Sequence, residues 1–217
     1  MVVFADAVNR PLPSNDRSTA RVDTGPVDDA DTQLLARISH GDERAFAELV
    51  ARHSPRLHAL ALRFTGSAAD ADDVVQDTFW SAWRKASDWQ ARGVKVSTWL
   101  YRIALNRCID LDRRRKVRRL VGLDDARDPE EPAPGAEQQA VVRSELAAVS
   151  DDVRALPARQ RAAILLAATG EAGTGEIAAR LGISEGAAEQ LLVRARRTLR
   201  QKKMAREALG PDGGQPR

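Results

Sequence analysis

The chain has 217 residues, 43% of them hydrophobic and 30% charged, with a formal net charge of +3. That length suits one medium or two small domains, and the high polarity argues against one dominant core. Abundant alanine, leucine and arginine with few tyrosines and phenylalanines disfavour a strand-rich fold, because unbranched side chains lose little rotamer freedom in a helix.

Cys108 is the only cysteine, which excludes an intrachain disulfide and a cysteine-built metal cluster. No apolar run reaches the roughly 20 residues of a membrane span, and the first residues lack the basic start and apolar stretch of a signal peptide. A cytoplasmic protein is the expectation. The charge is uneven, with basic blocks at residues 113–119 and 194–203 and an acidic patch at 124–131. Two basic blocks, each closing a helical unit, point to two contacts with a polyanion.

Residues 1–30, where Pro11, Pro13, Gly25 and Pro26 lie among polar side chains, read as a disordered tail. Asp23, Asp28, Asp29 and Asp31 could screen a basic surface, but an inert tail is the simpler reading. From Thr32 a helical period begins with Leu34, Leu35 and Ile38, breaks at His40-Gly41-Asp42, and resumes through Phe46, Leu49, Val50, Leu57, Leu60 and Leu62. Pro55 interrupts this second pattern and is expected to kink the helix. His53 and His58, five apart, do not share a face as a metal pair would, and read as ordinary partly buried histidines.

The next helix is expected from about Ala69 to Ala86. Val75, Phe79, Ala82 and Trp83 form its apolar stripe, whereas Asp73, Gln76, Asp77 and Trp80 lie toward another side at spacings of three and four. A tryptophan on the polar side is anomalous. It either packs under a neighbouring helix or, flanked by carboxylates and an amide, serves as the apolar anchor of an interface with a polar rim. The segment from Ser87 to Val96 is too short for a helix with its own core, and Ser97 can cap the helix that follows. Trp99, Leu100, Ile103, Ala104, Cys108 and Leu111 face inward there. Arg102, Asn106, Arg107, Asp110, Arg113 and Arg114 face outward. Arginine and asparagine reach phosphates and base edges, while Trp89 and Gln90 in the preceding loop can stack on or hydrogen-bond an unstacked base.

Pro129, Pro132, Pro134 and Gly135 among carboxylates mark an exposed linker. Beyond it a helix runs through Val141, Val142, Leu146, Val149 and Val153 to Leu156, and Pro157 starts another with Ile164 and Leu165 inside. The stretch GEIAARLGISEGAAEQLLVRARRTLR gives a short helix with Ile177, Ala178 and Leu181, a turn at Gly182-Ile183-Ser184, and a longer basic helix lined by Leu192, Ala195 and Leu199. That is the helix-turn-helix pattern, whose second helix can enter a major groove.

With these residues in view, the chain resembles a bacterial sigma factor of the extracytoplasmic-function group. DDVVQDTFWSAWRKA followed by STWLYRIALNRCIDLDRRRK is similar to that family's promoter-melting domain, and ALPARQRAAILL with GEIAARLGISEGAAEQLLVRARRTLR to its helix-turn-helix domain.

The resemblance implies an all-α protein of two small helical domains joined by a flexible acidic, Pro-rich linker. Residues 1–30 would be the tail, 31–121 the melting domain, 122–138 the linker, 139–203 the helix-turn-helix domain and 204–217 a flexible C-terminal tail. It also implies that Asp73, Gln76, Asp77 and Trp80 dock on core RNA polymerase. Trp89, Gln90 and Lys95, in or beside the loop that captures a flipped base, and Arg102, Asn106, Arg107, Arg113 and Arg114 would meet the minus-ten element. Ser184, Glu185, Ala187, Glu189, Gln190, Arg194 and Arg197 would meet the minus-thirty-five element. Promoter DNA, core polymerase and an anti-sigma factor are the implied partners.

Leu191 stands where the family commonly has an arginine, which implies one fewer phosphate contact. Ala172-Gly173-Thr174-Gly175 is a looser entry to the helix-turn-helix than the family's usual bulky pair. A stand-alone helix-turn-helix regulator would explain the second domain but leave residues 70–116 without a role. An enzyme finds little support: the sequence offers no phosphate-cradling glycine loop, no metal-ligand set and no nucleophile with a recognisable base, so no cofactor is expected.

Overall fold

The computed structural model describes residues 29–89, 94–121, 137–170 and 172–209. The described residues form eight helices and no strand: α1 (Asp29–Ile38), α2 (Glu43–Thr65), α3 (Ala68–Lys85), α4 (Val96–Leu120), α5 (Glu137–Arg154), α6 (Ala158–Ala168), α7 (Thr174–Leu181) and α8 (Glu185–Leu209). Most of the tail expected over 1–30, the acidic linker, Gln90 and the last residues of the chain lie outside the described residues.

Local chemistry sets several boundaries. Asp42 has extended backbone and its carboxylate accepts the N–H groups of Arg44 and Ala45, capping α2. The Ala45 N–H, and then the Arg37 guanidinium, hold the Asp42 carboxyl below its ordinary range. Helix α2 runs through Pro55 and stops at Gly66, whose φ of 72° is open mainly to glycine. Ser67 then caps α3 by accepting the Asp70 N–H.

Two boundaries differ from expectation. Ser97 does not cap α4; Lys95 holds that position without a side-chain cap bond and the helix begins at Val96. Val96 is fully buried, so packing rather than capping fixes where α4 starts. Likewise α8 continues to Leu209, past residue 203 where a flexible tail was expected. Its basic end is tied down, with Lys202 and Arg206 pairing with Asp152 of α5 at 3.3 and 2.6 Å.

Helices α1 to α4 pack as one unit, and α6, α7 and α8 as a second. In the first, Leu35, Leu49, Leu57, Phe64, Ala71, Phe79, Leu100 and Leu105 are buried; in the second, Leu156, Ile164, Leu165, Leu166, Ile177 and Leu192 are. The high polarity argued against one dominant core, yet these residues form a single contiguous cluster. The reason is that α6 and α7 pack on α2 and α4, so each unit buries a face against the other. This also explains why Tyr101 and Leu105, absent from the inward set read from the sequence, are buried. A helix packed on both sides carries no single apolar stripe.

Asp31 is another departure. It does not screen a basic surface: its side chain is fully buried, 2.6 Å from Arg52 Nη1 and 2.7 Å from His53 Nε2, which fastens α1 to α2. His58 lies 3.2 Å from Asp72, so the two histidines serve separate carboxylates.

Candidate nucleic-acid interface

Helix α3 buries Ala71, Val74, Thr78, Phe79, Ser81 and Ala82. Val75 and Trp83, read as part of the apolar stripe, are only half-buried and pack at its margin, Trp83 edge-on to Phe46 with ring centroids 5.0 Å apart. Because helical residues three and four apart share a face, the opposite side carries Asp73, Gln76, Asp77 and Trp80 together, and all four are exposed. Trp80 is 58% exposed, an unusual position for so large an apolar side chain, and the Arg84 guanidinium lies 5.8 Å from its ring centroid. Asp77 is 3.7 Å from Arg107, so a residue expected at polymerase and one expected at DNA are neighbours across the α3–α4 seam. Asp70 and Arg115 form a second tie along that seam.

On α4, Arg102, Asn106, Arg113 and Arg114 are exposed as expected, Arg113 lying 3.3 Å from Asp110, and Arg107 is half-exposed. Lys95 is exposed at the start of the helix. Trp89 is half-buried rather than freely presented, its ring centroid 6.4 Å from that of Trp99 at a tilt of 46°. Cys108 is buried, and burial pushes its thiol up to about 12. The thiol therefore stays protonated through the physiological range. Native protein at pH 8 should react with a maleimide or aromatic disulfide at least ~1000-fold more slowly than the unfolded chain. Fast labelling of the folded protein would show the thiol to be accessible and reopen a redox role.

The helix-turn-helix is built by two caps. Gly182 adopts φ 65° and ψ 41°, and its N–H bonds back to the end of α7. A Cβ there would meet only the movable end of the exposed Arg102 side chain, so it is the positive φ that calls for glycine at Gly182. Ser184 then accepts the Ala187 N–H at 3.3 Å, starting α8. Ala188, Leu192, Ala195 and Leu199 form the buried stripe of α8. Glu185, Ala187, Gln190, Arg194 and Arg197 are exposed, with Ser184 exposed just before them, whereas Glu189 is half-buried. Leu191 is half-buried and packs against the core, so it faces inward rather than toward a phosphate. Val193 was not singled out in the sequence, since an isolated valine in a basic helix reads as core. It is 45% exposed between Gln190 and Arg194.

Among the described residues no group of histidine, cysteine or acidic side chains could hold a metal ion, and no helix is long and apolar enough to cross a membrane.

Family models match in two places, Sigma-70 region 2 over residues 49–119 and Sigma-70, region 4 over residues 149–199. The chain is 40% identical over 179 residues to RNA polymerase sigma factor CnrH of Cupriavidus metallidurans, an alignment covering 79% of this chain and 93% of that protein. It is 35% identical over 170 residues to ECF RNA polymerase sigma factor SigM of Mycobacterium tuberculosis, covering 78% and 83%. Among solved structures, CnrH in complex with the cytosolic domain of CnrY superposes with a TM-score of 0.60 at 35% identity, covering 81% of this chain and 98% of that one. The sigma factor RpoE in complex with the anti-sigma factor NepR from Bartonella quintana gives a TM-score of 0.55 at 27% identity, covering 73% and 96%.

Proposed function

The chain belongs to the extracytoplasmic-function group of sigma-70-type RNA polymerase sigma factors, and from that premise we propose which of its surfaces performs each step of initiation. Asp73, Gln76, Asp77 and Trp80 dock on core polymerase, with Trp80 as the apolar anchor and the polar three as its rim. Lys95, Arg102, Asn106, Arg107, Arg113 and Arg114 follow the minus-ten element, and Trp89 with Gln90 holds an unpaired base. In α8, Ala187 and Gln190 meet base edges of the minus-thirty-five element, with Val193 available to a thymine methyl group, while Arg194 and Arg197 meet phosphates. Ser184, Glu185 and Glu189 border that surface.

The observation that carries this reading is that all four α3 residues share one exposed face, with an arginine-rich helix beside it. Promoter melting then requires no catalytic group of the chain's own. A few kcal/mol of unstacking per flipped base is offset if unpaired bases are bound better than paired ones. Polymerase forms the phosphodiester bonds, and the protein acts in the cytoplasm, where polymerase and DNA are.

Control by an anti-sigma factor belongs to the same reading, supported by two structural neighbours: RpoE solved with an anti-sigma factor, and CnrH with the cytosolic domain of CnrY. The test is retention of purified core polymerase by the tagged chain, followed by run-off transcription from a promoter found by mapping starts after overproduction. Specific initiation only in the presence of the chain is expected. A chain that fails to retain core polymerase would sink the assignment.

A further inference from the structure

Most carboxylates of α3 are matched inside the protein. Asp70 pairs with Arg115, Asp72 lies 3.2 Å from His58, and Asp77 lies 3.7 Å from Arg107. Asp73 and Arg84 differ: both are exposed, and neither forms an ion pair among the described residues. They stand seven residues before Trp80 and four after it, spacings that keep all three on one face of the helix. At about 1.5 Å per residue, Asp73 lies about 10 Å from the tryptophan along the axis on one side and Arg84 about 6 Å on the other. The Arg84 guanidinium is 5.8 Å from the Trp80 ring centroid, within reach of a cation–π contact, and Trp80 remains 58% exposed. Lys85, also exposed, turns toward another side of the helix.

We propose that Arg84 is a further docking residue: it positions the Trp80 ring and meets a carboxylate of core polymerase, while Asp73 meets a cation at the other end of the same face. The inference rests on the docking role given to Trp80 above. A standard interface covers about 800 Å² on each partner, equivalent to a disc roughly 16 Å in radius. Arg84, one turn from the anchor, falls well inside such a footprint. A guanidinium covered there without an acceptor is costly, so the receiving surface must supply one. The donors on the edge of the guanidinium suit a carboxylate, and they stay available while the group rests beside an aromatic ring. The same contact limits the rotamers of an exposed tryptophan before binding and strengthens once polymerase removes the surrounding water. The receiving surface therefore carries, over a span of about 17 Å, a cation, an apolar pocket and a carboxylate in that order. A uniformly basic surface would not fit.

The test titrates the full chain, labelled at its N-terminus, with core polymerase at two salt concentrations. Arg84→Met keeps an unbranched stem without the charge, Arg84→Glu reverses the charge, and Arg84→Lys keeps the charge without the planar fork. Because Arg84 is exposed, melting temperatures should stay at the wild-type value. Arg84→Met should weaken binding about tenfold and Arg84→Glu about 50-fold, with both losses smaller at high salt. Arg84→Lys should recover part of the affinity. In a Trp80→Ala background, Arg84→Met should cost only about threefold, because the carboxylate contact remains and the positioning has nothing left to act on. An undiminished cost in that background would overturn the positioning role. Affinity within about twofold of wild type for both Arg84→Met and Arg84→Glu, or a loss that tracks a lowered melting temperature, would overturn the polymerase contact. The wild-type titration keeps the two readings apart. If the wild-type chain does not bind core polymerase, the sigma reading falls and this proposal with it; if it binds and the Arg84 variants bind equally well, this proposal alone falls.

Discussion

Trp80→Ala is expected to weaken binding to core polymerase by about 30-fold or more while leaving the fold intact. The first half follows from interface energetics: an aromatic anchor ringed by polar residues commonly contributes about 2 kcal/mol or more, and 1.4 kcal/mol is tenfold. The second half follows from exposure. Trp80 is more than half exposed, and substitutions at such sites typically change stability by no more than about 0.5 kcal/mol. Trp83 is not an equivalent target, because its ring packs on Phe46 and truncation there would loosen the α2–α3 contact. Asp77→Arg is a harsher probe, since it places like charge 3.7 Å from Arg107 as well as altering the rim. Equilibrium titration of labelled protein with core polymerase, with melting curves beside it, measures both halves. Unchanged affinity for Trp80→Ala would move the docking surface off α3.

Where one face of a helix was buried and the other wet, the sequence was legible. Helix α3 is of this kind: spacing alone put Asp73, Gln76, Asp77 and Trp80 together, and the structure exposes all four. The buried stripe of α8 is another, because Leu192, Ala195 and Leu199 recur at helical intervals. Legibility failed where a residue's fate depends on a distant segment. Nothing local to Asp31 says that Arg52 and His53 will enclose it, and nothing local to Arg161 marks it as a buried tie to Asp112 rather than one more surface arginine. Tyr101 and Leu105 were missed for the same reason, since α4 is covered on a side that a single-stripe reading treats as solvent. Trp89 shows the limit from the other direction. A loop tryptophan reads as available for stacking on a base, yet its nearest ring is Trp99, so base capture would require that pair to rearrange or to present an edge.

The second unit yields the other large expected effect, and it comes as a contrast between two substitutions on one face of α8. Gln190 and Arg197 are both exposed and seven residues apart, so they lie about 10 Å from each other along the helix axis. Gln190 sits in the N-terminal part, the portion of a recognition helix that reaches base edges; Arg197 sits where the helix leaves the groove beside the backbone. Gln190→Ala should therefore cost about 1–3 kcal/mol on the preferred upstream sequence and little on unrelated duplex, flattening the preference at one position. Arg197→Ala should weaken every duplex to a similar degree and reduce the slope of log affinity against log salt by about one. Affinity measured across salt concentrations, on the mapped promoter and on scrambled duplex, separates the two. If both substitutions lower affinity uniformly, α8 holds the phosphate backbone without reading bases, and specificity must come from α4 and the loop before it.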